Sequence, residues 1–61
     1  MTRLLTVKEV SVALNCGHTY VYTLIARGEL RAIKLDRLTR IPMAAVEDFI
    51  AEKIAESPLV N

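Results

Sequence analysis

The stretch TVKEVSVALNCGHTYVYTLIARG, residues 6–28, predicts two short helices joined by a tight turn. Thr6 and Glu9 have the spacing of a capping box, in which each side chain bonds the backbone amide of the other residue. Leu5, before the cap, can form a hydrophobic staple with Val10. The apolar positions that follow share one helix face and are Val7, Val10, Ala13 and Leu14. The first helix is therefore expected to end at the turn formed by residues 15–17.

The second helix is expected to begin at about His18, with Gly17 as a weak N-cap. Its buried stripe is predicted to be Val21, Leu24 and Ile25. Gly28 follows as the stop signal, in the left-handed conformation that glycine tolerates. Because so few residues separate the two helices, the segment is typical of a helix-turn-helix motif.

Residues 30–35 end in an alternating pattern that predicts a strand. Residues 36–38 form the expected turn, and residues 39–41 form a second strand that Pro42 ends. A two-stranded hairpin is marginal alone, so this one must pack on the helices. The predicted architecture is therefore a mostly α winged helix-turn-helix with a small β-hairpin, in the order α-α-β-β-α.

Pro42 is expected to open a third helix that ends near Glu56, before the break at Ser57-Pro58. The predicted buried stripe is Val46, Phe49, Ile50 and Ile54. The residues predicted to face water are Glu47, Asp48, Glu52 and Lys53. This pattern predicts one domain, residues 1–56, followed by a frayed tail, residues 57–61.

Length and composition favour a binding module over an enzyme. The chain has 61 residues, which leaves little room for the walls of an active-site cavity. Its one cysteine, Cys16, is expected to be a buried apolar residue, because no Cys/His cluster has metal-ligand spacing. We predict no catalytic residue, metal, cofactor or small-molecule substrate. No run is long and apolar enough for a membrane span or a signal peptide, so a cytoplasmic, nucleoid-associated protein is expected.

The charge is unevenly distributed along the chain, although its net value is only +1. Residues 27–40 carry five basic and two acidic side chains, a net charge of +3. Residues 41–61 carry one basic and four acidic side chains, a net charge of −3. This distribution indicates one face that meets phosphates and another that does not.

The second helix of a helix-turn-helix presents its N-terminal residues to base edges. The candidate contacts are His18, Thr19, Tyr20, Tyr22 and Thr23. Short polar and aromatic groups of this kind can donate, accept, stack or contact a thymine methyl. The alternative is a solvated helix face with Tyr22 half in the core. Arg27 and Arg31 flank the junction with the hairpin and are candidates for phosphate contacts.

Three cations on the hairpin carry the stronger electrostatic signal. Lys34, Arg37 and Arg40 are expected to project to one side and to follow the DNA backbone or its narrow minor groove. The alternative is a basic edge strand that only prevents aggregation. Lys8 is interpreted as a solvated side chain.

Several segments together resemble the excisionase family of small winged-helix proteins, which is similar to a reduced MerR-type DNA-binding domain. They are LLTVKEV (4–10), VYTLIARGEL (21–30), IKL (33–35), RIP (40–42) and VEDFI (46–50). The resemblance implies a recognition helix at residues 18–27 and a wing at residues 34–40. It further implies phage or mobile-element biology. Such a protein would associate cooperatively with itself on repeated sites in double-stranded DNA and bend the DNA. Its partner would be a tyrosine integrase, which it directs toward excision.

The sequence departs from the family pattern at a few positions. Gly17 and His18 stand where the family has Ser and Arg, and the turn at residues 36–38 lacks the usual Gly. Thr23 and Ala26 stand where Arg is frequent. A small transcriptional regulator with the same domain stays an alternative function. A protein-interaction module or anti-repressor that uses Ile54, Leu59 and Val60 is a second alternative.

Overall fold

Three helices and three short strands make up the part of the chain that the computed structural model describes, residues 3–57. The elements are β1 (Leu4–Leu5), α1 (Val7–Leu14), α2 (His18–Ala26), β2 (Ile33–Leu35), β3 (Leu38–Pro42) and α3 (Met43–Glu56). The predicted winged helix-turn-helix is confirmed, with one strand added before α1. Most of the predicted tail, residues 58–61, lies outside the described residues.

The capping box at the start of α1 is present as predicted. The Glu9 amide donates to Thr6 Oγ1 at 3.0 Å, and the Thr6 amide donates to Glu9 Oε1 at 2.9 Å. At the other end Asn15 has a φ of 53°, a left-handed conformation that asparagine tolerates. The Cys16 amide then donates to the Ser11 carbonyl at 2.9 Å. These bonds end α1 at Leu14 and allow α2 to begin at His18.

Gly28 ends the second helix and redirects the chain into the core. Its φ of 77° is accessible to glycine without steric cost. The amides of Glu29 and Leu30 both donate to the Leu24 carbonyl, at 2.9 and 3.2 Å. This turn places the Leu30 side chain among the buried residues, where 1% of its surface is exposed.

The sheet has three strands rather than the predicted two. β3 lies in the centre, antiparallel to β1 and to β2, and Leu5 of β1 pairs with Ile41 of β3. Both of these side chains are buried, so the third strand is held by the core as well as by the backbone. Our expectation of a lone hairpin was wrong because Leu5 was interpreted only as part of a staple. β1 also ties the start of α1 to the hairpin.

Two boundaries of the hairpin differ from the prediction. Leu38 pairs with Leu35 and belongs to β3, so the turn contains only Asp36 and Arg37. Pro42 is the last residue of β3 and the N-cap of α3, and the helix begins at Met43. Pro42 fits there because its φ of −59° matches the ring constraint.

The core lies between the helices and the inner face of the sheet. Its buried apolar residues are Leu5, Val7, Val10, Val21, Leu24, Leu30, Ile41, Val46 and Phe49. On α1, Ser11 is buried where Ala13 was predicted, and Ala13 is exposed. The Ser11 hydroxyl tolerates burial because it donates to the Lys8 carbonyl at 2.7 Å. Cys16 is only partly buried.

The predicted buried stripe of α3 was wrong in its second half. Ile50 and Ile54 are 37% and 72% exposed, because α3 buries only Val46 and Phe49, near its start. Lys53, predicted to face water, is half-buried in ion pairs. Within residues 3–57, no helix is long and apolar enough to cross a membrane.

Candidate nucleic-acid interface

The outer face of α2 carries the residues predicted to read bases. Val21 and Leu24 face the core, which turns the other side of this short helix to solvent. Tyr22 is 54% exposed, so about half of its surface is open to a ligand. The exposed residues of this face are His18, Thr19, Tyr20, Tyr22 and Thr23. They are free to meet a ligand that approaches α2.

An open groove of about 380 Å³ lies between α1, α2 and the β2–β3 hairpin, which we call the wing. Among the residues that line this central groove are Thr6, Lys8, His18, Tyr22, Arg37 and Arg40. The structure therefore brings two predicted contacts of α2 together with two predicted cations of the wing. Helix and wing face one shared concave surface.

The electrostatics of the central groove favour an anion. Lys8, Arg37 and Arg40 line it, and the nearby carboxylate of Glu9 is already engaged. The Thr6 backbone hydrogen bond, with help from Arg3 at 3.3 Å and from the charge of Arg40, holds the pKa of Glu9 below its usual value. Glu9 thus stays ionised. A single carboxylate, which also pairs with Arg3, cannot neutralise all three cations of the groove, so the groove keeps a net positive charge.

The three wing cations do not project to one side, contrary to our expectation. Lys34 pairs with Thr39 across the hairpin, and Arg40 pairs with Ile33. Direct partners in an antiparallel pair share a face and successive pairs alternate, so Lys34 and Arg40 lie on opposite faces. Lys34 Nζ lies 3.5 Å from Thr39 Oγ1. Lys34 lines an adjoining hollow of about 350 Å³, which shares Tyr22 and Thr39 with the central groove.

Other predicted contacts lie away from the central groove. Arg27 Nη2 lies 2.7 Å from Glu29 Oε2, and 62% of the Arg27 side chain remains exposed. Arg31 lines a separate hollow beside α3, close to Asp48. Tyr20 lies on the α3 side of α2, near enough to Lys53 to influence the pKa of that amine. Thr19 and Thr23 are joined on the outer face, where the Thr23 hydroxyl donates to the Thr19 carbonyl at 2.9 Å.

The sequence interpretation missed several groove residues, among them Lys8 and Leu38. Lys8 was interpreted as solvated, and Leu38 was assigned to a loose turn, yet both line the central groove. The pairing of β1 with β3 brings the start of α1 beside the wing. A two-residue strand gives no periodic signal, so the sequence could not reveal this approach.

Comparisons with known proteins agree with this architecture. A family described as "Helix-turn-helix domain" matches residues 4–54. A protein of Streptomyces ambofaciens named "Excisionase" is 44% identical over 54 residues, which cover 88% of this chain and 87% of that protein. This chain belongs to the excisionase family.

A "Probable excisionase" of Saccharopolyspora erythraea is 43% identical over 53 residues. The aligned part covers 87% of the present excisionase-family chain and 54% of the relative, so the chain spans about half of that relative's length. No solved structure matches the chain significantly. The family match extends over both helices of the motif, the wing and most of α3.

Proposed function

We propose that this chain is an accessory factor of site-specific recombination that binds double-stranded DNA and directs an integrase toward excision of a phage or mobile element. The observation that carries the proposal is the central groove, which joins the N-terminal end of α2 to the cations of the wing. Membership of the excisionase family supports the same function. The chain would perform no chemistry and would need no cofactor.

In this proposal α2 enters the major groove with its N-terminal end toward the bases. His18 lies at the helix start, where unpaired backbone amides attract a phosphate. Thr19, Tyr22 and Thr23 then face the base edges. The Thr23 hydroxyl donates to backbone, and it therefore offers its lone pairs as acceptors to a base.

The wing supplies the charge that holds the DNA backbone. Arg37 and Arg40 line the central groove beside α2, so they contact phosphates or enter the adjacent minor groove. Lys34 reaches a phosphate from the other face of the wing, next to Tyr22. Arg27 and Arg31 lie outside the central groove and contact phosphates at the edges of the DNA site.

Cooperative binding on repeated sites is supported by the basic segment of residues 27–40 and the acidic residues of α3, which could attract each other between neighbouring copies. The carboxylates of Glu47, Asp48 and Glu52 are exposed on α3. Within the basic segment of residues 27–40, Arg27 and Arg31 lie outside the central groove and complement this acidic face on the next copy. Such an array would bend the DNA and present a surface to a tyrosine integrase.

The decisive test is a gel shift on DNA from the attachment region of the host element, beside a scrambled duplex, at two salt concentrations. We expect a ladder of specific, salt-sensitive complexes, and Arg40→Ala should weaken all of them. The matched control is Ala55→Glu, which lowers the net charge equally at an exposed position of α3. No complex on either duplex at low salt would refute the proposal.

An excision assay with the integrase of the same element distinguishes the recombination factor from a transcriptional regulator. The wild-type chain should increase the yield of excised circles, and Arg40→Ala should reduce this increase. Specific binding without any effect on excision would assign the chain to regulation of a promoter instead.

A further inference from the structure

Two leucines at the tip of the wing are left exposed to water. Leu35 and Leu38 are direct cross-strand partners on either side of the Asp36-Arg37 turn. They are 45% and 52% exposed. The two-residue turn places both side chains on the same face of the hairpin, where they form a small apolar ridge. We call Leu35 and Leu38 the leucine ridge.

The position of the ridge indicates what it contacts. Leu38 lines the central groove together with Arg37 and Arg40 of the wing and with His18 and Tyr22 of α2. Arg40 shares the face of the ridge, because the pairs at Leu38 and Arg40 are two residues apart along β3. An apolar contact surrounded by cations fits a ligand with apolar walls between two rows of anions.

The minor groove of DNA has this chemistry, since deoxyribose walls lie between two phosphate backbones. Minor-groove proteins commonly insert leucine and similar side chains at base steps, and Arg is attracted to the narrow groove. A second protein copy fits less well. The apolar hollow beside α3, lined by Ile33, Pro42, Ala44 and Ala45, carries one carboxylate, Asp48, and one cation, Arg31, so it offers no two rows of anions to Arg37 and Arg40.

We infer that the leucine ridge is a minor-groove contact that wedges against a base step while Arg37 and Arg40 hold the flanking phosphates. This inference rests on the proposed function and assigns the deformation of the DNA to two specific side chains. Asp36, the carboxylate at the tip, lies in the turn and limits how deeply the wing enters.

The test uses the double variant Leu35→Thr/Leu38→Thr, because threonine removes apolar surface and keeps a high strand propensity. The matched control is Val12→Thr, an isosteric change at a residue of α1 that is 73% exposed. Affinity and bend angle are measured on one specific duplex that carries a donor and an acceptor dye at its ends. Thermal melting of each free protein shows that it is folded.

We expect the double variant to bind about tenfold more weakly and to bend the DNA less. The salt dependence of binding should stay unchanged, because no cation has been removed. A duplex with 2,6-diaminopurine in place of adenine adds an amino group in the minor groove alone. It should weaken wild-type binding and leave the double variant unaffected.

Two results would overturn the inference while leaving the proposed function intact. One is a folded double variant that binds and bends as the wild type does. The other is a double variant with an unchanged first complex and no second complex, which would make the ridge a contact between copies. Failure of the wild-type chain to bind any duplex would refute the proposed function, and the inference with it.

Discussion

Glu29 Oε2 lies 2.7 Å from Arg27 Nη2, and Glu29 Oε1 lies 3.1 Å from Lys53 Nζ. One carboxylate thus connects the end of α2 to α3. Lys53 also lies 5.5 Å from the centre of the Phe49 ring, so the connection continues into the core. The hydrogen bond from Lys53, together with the charges of Arg27 and Lys53, holds the pKa of Glu29 below its usual value. In the proposed complex, Arg27 would therefore reach DNA only in competition with this carboxylate.

Glu29→Gln is expected to strengthen DNA binding and to steepen its salt dependence. The change removes the anion that neutralises Arg27, and each additional phosphate contact adds about 0.9 to the slope of log K against log salt. Titrations at several salt concentrations measure this slope. Glu56→Gln changes the net charge equally at the exposed end of α3, outside the acidic face proposed to meet a neighbouring copy. If both variants give the same slope, Arg27 makes no phosphate contact in the complex.

The same carboxylate makes stability dependent on pH in the acid range. The folded-state pKa of Glu29 lies below the usual 4.5, and so does that of Glu9, chiefly because of its Thr6 hydrogen bond. A depressed carboxylate pKa stabilises the folded state above the unfolded-state value and loses this effect as pH falls. Urea unfolding should therefore show a stability that declines as the pH falls through and below the unfolded-state value of 4.5. Glu29→Gln should flatten this decline, and an identical decline would contradict the assignment.

Thr6→Ala is expected to destabilise the protein by about 1 kcal/mol, because it removes the side-chain acceptor for the Glu9 amide. Thr6→Ser keeps the hydroxyl and should retain most of the stability. Chemical unfolding of the three proteins provides the comparison. Equal losses in Ala and Ser variants would show that the Thr6 methyl group, rather than the cap, is what matters.

Asp36→Gly is expected to stabilise the wing. Asp36 has a φ of 58°, and Arg37 is not among the residues with positive φ in the described chain. That sign pattern suits a type II′ turn, which favours glycine at its first position. Relief of the left-handed strain should add about 1 kcal/mol to the free energy of unfolding. Asp36→Asn removes the same charge but keeps a side chain. A difference in DNA affinity between the two variants therefore reports the effect of the backbone, and a change common to both reports the effect of the charge.

The helix-turn-helix could be predicted from the sequence because its signals are local. Thr6 and Glu9 form the capping box that their spacing indicates, and Gly28 adopts the left-handed conformation that ends α2. The stripe formed by Val21 and Leu24 is likewise set by helical periodicity. Each of these features depends on residues within one or two turns of helix.

The wing and α3 were predicted less well because the sequence shows neither the register of the hairpin nor the point along α3 where the core ends. The opposite faces of Lys34 and Arg40 follow from the register of the hairpin, which depends on a two-residue turn without glycine. The exposure of Ile54 follows from where the core ends, and helical periodicity carries no information about that limit. The DNA contacts themselves stay predictions until binding is measured.

Lys8→Gln tests whether Lys8 contacts DNA, as its place in the central groove indicates, or is only a solvated side chain, as the sequence indicated. Lys8 is the second residue of α1, where a cation is unfavourable beside the positive end of the helix dipole. The change should therefore stabilise the free protein by about 0.5 kcal/mol. Because Lys8 lines the central groove with Arg37 and Arg40, the same change should weaken DNA binding and lower the salt slope by about 0.9.

These two effects have opposite signs, so a general loss of structure cannot imitate them. Ala55→Glu serves as the control, because it alters the net charge equally on α3. It should leave the slope near the wild-type value. If Lys8→Gln and Ala55→Glu weaken binding to the same extent with equal slopes, Lys8 contributes only to the overall field and the start of α1 lies away from the DNA.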